Sequence, residues 1–352
     1  VIPPNPPRIP SVYVAGSISL IGGGTKACYW KDGVRTDLPV ANATAYGIAV
    51  AGDTVYVVGT YGNPQKACLW VNGVKSDLPD GSEARAIQIV DNTLYIAGGS
   101  SDEKACVWIG VPDTFTQHEV DNTNSGADGL YVTSDTIYLA GSIFGEGWSK
   151  AKVWSRPRSG GNWTKTEIHN GTVNGTTYVS SEALSITVSN GIIYVTGYQV
   201  DNNTDSFPFA WSGANLASLK DSATALSLKN SYTDDPSGYA YSVAVYNGTP
   251  YIAGFYQVGN SDNHFFRAAL WVGIDDTEPD LYYPEDENDA AAFAVYVHNG
   301  DIYSAGCIEK DIDPQTYVQP CYWKNGVRID LPEQVLGNDV TFGPGAKAIA
   351  VQ

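Results

Sequence analysis

The sequence predicts an all-β protein, a seven-bladed β-propeller of four-stranded antiparallel blades. Three observations carry this. Tyr-x-x-Gly recurs seven times, at Tyr13–Gly16, Tyr56–Gly59, Tyr95–Gly98, Tyr138–Gly141, Tyr194–Gly197, Tyr251–Gly254 and Tyr303–Gly306. A tryptophan follows each copy by 13 to 20 residues: Trp30, Trp70, Trp108, Trp154, Trp211, Trp271 and Trp323. An alanine stands 11 residues before the tyrosine in six copies, at Ala45, Ala84, Ala127, Ala183, Ala240 and Ala292. From tryptophan to tryptophan the unit spans 38 to 60 residues, and that period, filled by short strands, marks a propeller blade. The repeat overrides the prior of two domains that a length of 352 residues suggests.

One unit gives the strands in order. Ala45 to Val50 alternates as a first strand, and Gly52-Asp53 tolerates the positive φ of a two-residue hairpin. The counterparts of that turn are Asp91-Asn92, Ser134-Asp135, Asn190-Gly191, Asn247-Gly248 and Asn299-Gly300. Val55 to Gly59 is the second strand and Ala67 to Trp70 the third. Asn72-Gly73 turns the chain into a fourth, Val74 to Leu78, which Pro79 ends by removing a ladder donor.

The first copy lacks its first strand, and the far end of the chain supplies it. Residues 346–351, Ala-Lys-Ala-Ile-Ala-Val, repeat the Ala45/Ile48/Val50 pattern in register. Their pairing with residues 12–16 closes the ring and removes its open edges. Residues 11–352 therefore form one domain, preceded by a proline-rich arm, residues 1–10. With five prolines in ten residues the arm is extended and stiff. It reads as a tether, as a segment that docks on another copy, or as a disordered leader.

Ala27-Cys-Tyr-Trp-Lys-Asp-Gly33-Val and Cys321-Tyr-Trp-Lys-Asn-Gly326-Val each follow a Val-Tyr-Val-Ala-Gly-like strand. In this the chain resembles secreted bacterial proteins, common in the Bacteroidetes, with tandem YVAG and YWKNG units. The resemblance covers residues 11–352. It implies export, often as a surface lipoprotein, and no enzyme activity. Leu94-Tyr-Ile-Ala-Gly-Gly99 with Trp108 is more distantly similar to a kelch blade.

Charge narrows the partners. Twenty basic against 38 acidic side chains give a formal −18, which disfavours nucleic acid and anionic membrane surfaces. No run of apolar residues is long enough for a transmembrane helix. The chain begins at Val1 and holds no methionine, so we expect a processed product, with a signal peptide as the removed segment. The expected location is extracellular or on the cell surface.

In a four-stranded meander the second-to-third and blade-to-blade connections share one face. Here they are long, at 143–150, 198–208, 255–267 and 307–320, and at 169–181, 220–239, 282–291 and 333–345. Length variation on a constant scaffold is where binding residues accumulate, although loops also tolerate idle insertions. Aromatic residues outside the repeat positions stand on these loops. Phe144, Trp148, Trp163, Phe207, Tyr256, Phe265, Tyr282 and Tyr317 are the candidate ligand-binding rings. Such rings stack on sugars or grip peptides when exposed, and otherwise fold back over their own loops.

Asp275, Asp276, Glu278, Asp280, Glu285, Asp286, Glu287 and Asp289 form an acidic run, and Glu309, Asp311 and Asp313 a shorter one. Either is a solvated surface or a source of oxygen ligands for Ca²⁺. No other cofactor is expected. His118, His169, His264 and His298 lack partners at zinc spacing, and there is no nucleophile elbow or phosphate loop. Cys28, Cys68, Cys106 and Cys321 occupy a slot that holds Lys152, Phe209 or Ala269 elsewhere, which marks buried thiols. A Cys307–Cys321 cross-strand disulfide stays open.

The resulting expectation is a non-enzymatic extracellular binding protein that takes glycan or protein on its long-loop face. The alternatives are a self-assembling homo-oligomer joined by the arm, and a polysaccharide hydrolase or lyase. No catalytic residue is assigned.

Overall fold

A computed structural model describes residues 9–20, 23–228, 237–260, 263–275, 279–282, 289–312, 315–332, 335–336 and 345–352. Seven antiparallel sheets, each with a four-stranded core, form the ring of a seven-bladed β-propeller. Blade two runs Ala43–Ala51, Thr54–Tyr61, Lys66–Val71 and Val74–Asp77, from the axis outward. Blade three begins at Gly81–Val90, blade four at Ser125–Val132, blade five at Thr176–Ser189, blade six at Gly238–Tyr246 and blade seven at Ala290–His298. Blade one takes its innermost strand, Gly345–Val351, from the end of the chain. That strand pairs with Val12–Ser19, from Val12 opposite Val351 to Ser17 opposite Gly345. Two main-chain bonds between Ser11 and Gln352, of 2.8 and 3.0 Å, continue the ladder past it.

The tight turns follow from their residues. Asn190-Gly191, Asn247-Gly248 and Asn299-Gly300 all adopt positive φ, as do Asp91 and Asn92. Ser134-Asp135 differs: the Thr133 hydroxyl accepts from the amide of Thr136 at 3.0 Å and builds a side-chain-bonded turn instead. Asp32, Asn72 and Asn325 do double duty at the turn into the fourth strand. Each carries positive φ, and its side-chain oxygen accepts the amide of Val12, Val55 or Ile302 at 2.8 Å.

The seven repeat tryptophans are buried to 2% exposure or less. The indole N–H groups of six, Trp30, Trp70, Trp108, Trp154, Trp211 and Trp271, tie their blades to the segment leaving the one before. Trp108 donates to Pro79 O at 2.8 Å, Trp271 to Ser227 O at 2.8 Å and Trp30, across the closure, to Pro332 O at 3.4 Å. In blade four the acceptor is a carboxylate. Trp154 donates to Asp121 at 2.9 Å, where Lys152 and Lys165 also converge at 3.1 and 3.3 Å. These contacts hold the buried Asp121 carboxyl well below the usual carboxylate range, against the desolvation that opposes them.

In blades four to seven the expected long second-to-third loops are largely strand. Pairing runs on to Gly145 opposite Trp148, Val200 opposite Ser206, Asn260 opposite Asn263, and Ile312 opposite Gln315. The extra residues lengthen hairpins, which satisfies their backbone groups without leaving an irregular loop. All five cysteines are free thiols. Cys321 pairs with Gly306 and Cys307 with Pro320, and the two side chains belong to different core clusters. Neighbours one register step apart point to opposite faces of a blade, which prevents the bond.

Candidate functional site

The innermost strands converge on the axis, and all seven break register at one place. Each loses step immediately after the repeat alanine: Ala45/Gly47, Ala84/Ala86, Ala127/Gly129, Ala183/Ser185, Ala240/Ser242, Ala292/Ala294 and, in the closing strand, Ala346/Ala348. The skipped residue is a β-bulge, with two residues facing one on the partner strand. The residues so released are Tyr46, Arg85, Asp128, Leu184, Tyr241, Phe293 and Lys347, one per blade. All seven line a single cavity of about 560 Å³ at the axis.

The bulge also explains two constant residues of the repeat. The carbonyl preceding each repeat alanine swings against the second strand, where the glycine of Tyr-x-x-Gly sits. A Cβ on Gly59 would overlap Thr44 O, one on Gly98 would overlap Glu83 O, and one on Gly197 would overlap Glu182 O. Glycine is required by that approach. The alanine faces the packed interior of the blade pair, with no exposure at Ala45, Ala84, Ala183, Ala240, Ala292 or Ala346.

Bonds between neighbouring innermost strands fix the ring. Ser185 Oγ accepts the amide of Val243 at 3.3 Å, and Ser242 Oγ that of Val295 at 3.1 Å. Gln88 bridges to Val132 through both ends of its amide, at 2.7 and 3.2 Å.

The chemistry around the cavity is uneven. Arg85 lies 4.4 Å over the Tyr46 ring, pairs with Glu83 at 2.7 Å and stands 3.9 Å from Asp128. Desolvation opposes its charge, yet Glu83 and Asp128 hold it above its ordinary range. Asp128 keeps 26% of its side-chain surface open. Burial, with Glu83 and Glu182 as like charges, pushes its carboxyl up to about 7 despite Arg85. Glu182 is also raised by burial, with hydrogen bonds to Tyr198 and Ser149 pulling the other way. On the opposite wall the Lys347 ammonium sits 3.6 Å over the Phe293 ring, and Phe293 meets Tyr241 edge-on at 5.2 Å. Burial lowers Lys347 to about 8, and Arg85 adds to that effect.

The expected aromatic residues do not form one site. Phe144 and Trp148 come together at a hairpin tip, 39% and 40% exposed, with Lys150 5.2 Å from the Trp148 ring. Trp163 lies between the third and fourth strands, on the opposite face, partly buried beneath the Arg156 guanidinium at 4.8 Å. Tyr256 is fully buried against Trp271, at 6.0 Å. Phe207 packs edge-on to Tyr178 at 5.8 Å, and Phe265 lies under Arg267 at 4.8 Å. These four rings fold back into the blades. The side chains of Tyr282 and Tyr317 fall outside the described residues, as do Asp276, Glu278, Glu285, Asp286, Glu287, Asp313 and residues 1–8. Among the described residues, no group of three or more His, Cys, Asp or Glu is placed to hold a metal ion. No helix there is long and apolar enough to cross a membrane.

No family model matches the chain and no curated protein matches it. Among solved structures it is similar to an ulvan lyase, a polysaccharide lyase bound to -[GlcA(1-4)Rha3S]-, at TM-score 0.52 and 11% identity over 82% of each chain. A second structure of an ulvan lyase gives 0.52 and 12% over 82% of each. A Trypanosoma rangeli sialidase in complex with sialic acid gives 0.46 and 10%, over 88% of this chain and 56% of that one. The lyase overturns the expectation of a non-enzymatic binding protein. The fold matched above a TM-score of one half is that of a polysaccharide-cleaving enzyme, and at 11–12% identity what the chains share is that fold.

Proposed function

We propose that the chain is a polysaccharide-cleaving enzyme whose reaction takes place in the axial cavity. One observation carries the reading: seven structurally equivalent bulge residues, each of different chemistry or setting, face one cavity. A purely architectural ring has no need of an arginine, an aspartic acid, two tyrosines and a lysine at equivalent positions.

Cleavage of a glycosidic bond needs a proton donor at the leaving oxygen and a second group that takes a proton or attacks carbon. Asp128, near 7, retains a proton to give at neutral pH. Lys347, near 8, and the Tyr46 and Tyr241 hydroxyls are the groups available on the other walls. Leu184 and Phe293 supply apolar surface for the faces of sugar rings. An extracellular location fits a polysaccharide substrate, and export is part of the proposal. So is membership of the YVAG/YWKNG-type secreted proteins.

The test is a panel of polysaccharides assayed in parallel for new reducing ends and for ultraviolet-absorbing unsaturated ends. Reducing ends alone indicate hydrolysis, and both together indicate elimination. Asp128→Asn is expected to lower the rate by about 10²–10⁴-fold. The wild-type rate should fall as pH rises through about 7, where Asp128 loses its proton. Products formed equally fast by Asp128→Asn would remove Asp128 from the mechanism. No product from any member of the panel would sink the enzymatic reading.

A further inference from the structure

The axial cavity makes no use of Phe144 or Trp148, yet both rings are held in place beside it. Among the described residues they are the phenylalanine and the tryptophan most open to solvent, at 39% and 40%. They stand on the second-to-third hairpin of blade four, formed by Thr136–Gly145 and Trp148–Pro157. That hairpin rises past the innermost strand, which begins at Ser125 opposite Ile143.

A glycine lies under each ring. Phe144 covers Gly126, where an added Cβ would meet the ring at 3.6 Å. Blades two, three, five and six carry Thr44, Glu83, Glu182 and Tyr239 at that position, each just before the repeat alanine. Blade four leaves the place to a ring from the neighbouring strand. Trp148 lies against Gly145, where a Cβ would overlap the indole. Lys150, 5.2 Å from the indole, is held by Glu167 at 3.4 Å, and Trp148 keeps its exposure beside it. Rings fixed in this way lose little freedom when a ligand arrives.

The two rings lie in series from the cavity outward. Phe144 is the cross-strand partner of Ser149 and shares its face. Ser149 is tied to blade five, its N and Oγ each 2.8 Å from Ser180 Oγ. Beside Ser180 a second register break releases Val179, 46% exposed. An open ring and an open aliphatic side chain thus meet at the boundary of blades four and five. Gly126, under Phe144, is two residues from Asp128 on the cavity wall, roughly 7 Å along the strand. Trp148 is one rung farther out, on the hairpin's other face.

We propose that Phe144 and Trp148 are outer sugar subsites for the polysaccharide whose cleaved unit occupies the axial cavity. Phe144 takes the unit next to the cavity and Trp148 a unit farther along the chain. A flat, open aromatic ring stacks on the apolar C–H face of a sugar. Phe144, Val179, Ser149 and Ser180 are uncharged, on a chain of formal −18, which suits such a face. The proposal deepens the enzymatic reading and rests on it for the substrate class, but it concerns binding and is tested without turnover.

The experiment titrates the full chain with oligomers of xylose, of galacturonate and of α-1,6-linked glucose, each two, four and six units long. Calorimetry gives the affinity, and acrylamide quenching of tryptophan emission reports on Trp148. The seven repeat tryptophans are buried and Trp163 is partly buried, so the quenchable emission comes mainly from Trp148. We expect at least one series to bind, its affinity to rise with length, and its hexamer to shield Trp148 from acrylamide. Phe144→Ala should weaken the tetramer and the hexamer about tenfold. Trp148→Ala should weaken the hexamer by a similar factor and the tetramer less. Gly145→Ala keeps both rings but drives a Cβ into the indole, and should reproduce Trp148→Ala at the wild-type melting temperature. Trp148→Phe keeps a flat ring and should retain most of the affinity.

No binding of any oligomer, affinity independent of length, or unchanged affinity in Phe144→Ala, Trp148→Ala and Gly145→Ala would overturn the subsites. Length-dependent binding that these variants lose, with no product from any polysaccharide, would keep the subsites and remove the enzyme. Cleavage of a polysaccharide by all three variants with the wild-type KM would keep the enzyme and remove the subsites.

Discussion

Two rings of seven run round this molecule, and they teach opposite lessons. The inner-ring residues stand immediately after the repeat alanines. The outer ring is tryptophan in every blade, buried and bonded to the preceding blade wherever its N–H partner is described. The inner ring is Tyr46, Arg85, Asp128, Leu184, Tyr241, Phe293 and Lys347, in no two adjacent blades the same. Sevenfold packing demands sameness, because each blade presents the same face to its neighbour. The sugar site proposed for the inner ring demands difference. The scaffold meets both by placing the variable residue on a bulge, where its identity does not disturb the ladder.

The comparison should break most visibly at the outer ring. Trp108→Ala removes a fully buried indole and its bond to Pro79 O, and should destabilise the fold by about 3–5 kcal/mol in chemical denaturation. The surviving folded fraction should still cleave polysaccharide at the wild-type rate. A loss of rate equal to that of Asp128→Asn would show that the two rings are not separable.

Blade four offers the next largest effect. Asp121→Asn leaves Lys152, Lys165 and the Trp154 N–H without their shared carboxylate, for a loss of ~3 kcal/mol. The folded-state carboxyl is depressed, so its stabilisation is fully present above the unfolded value, about 3.9. It is lost as pH falls through the native value. Wild-type stability should therefore decline on acidification below about pH 4 more steeply than that of Asp121→Asn, whose curve should be flatter. Parallel curves would remove Asp121 as the acid-sensitive group.

The smallest effect carries the opposite sign. Lys347 is depressed by burial, so folding favours its neutral form, and the penalty on its charge is present at neutral pH and relieved as pH rises above 8. Lys347→Met should raise stability by ~1 kcal/mol at pH 7. A destabilised Lys347→Met would mean that the lysine serves packing, as the outer ring does.

These rings also differ in how far the sequence exposes them. The tyrosine, glycine, tryptophan and alanine positions recur, so spacing alone finds the blades, their number and the closing strand. Residue 128 shares its position with residues 46, 85, 184, 241, 293 and 347, but nothing recurs there except the alanine before it. A search for sameness passes over the one position where the proposed function requires variation. The register break compounds this, since alternation gives no sign that a residue has slipped off the ladder. The loop aromatics mislead for a related reason. Tyr256 and Phe207 lie where the repeat ends, yet the hairpins continue, and a ring on a continuing strand has a core to enter.

The closing strand has one more consequence. Arg85 lies on the third blade and Lys347 on the closing strand of the first, so the two line the cavity from strands far apart in sequence. Until Gly345–Val351 docks beside Val12–Ser19, the cavity lacks a wall and a charge. The complete cavity therefore appears with closure of the ring and cannot precede it, so a partly folded chain, however many blades it has formed, lacks one of the seven walls.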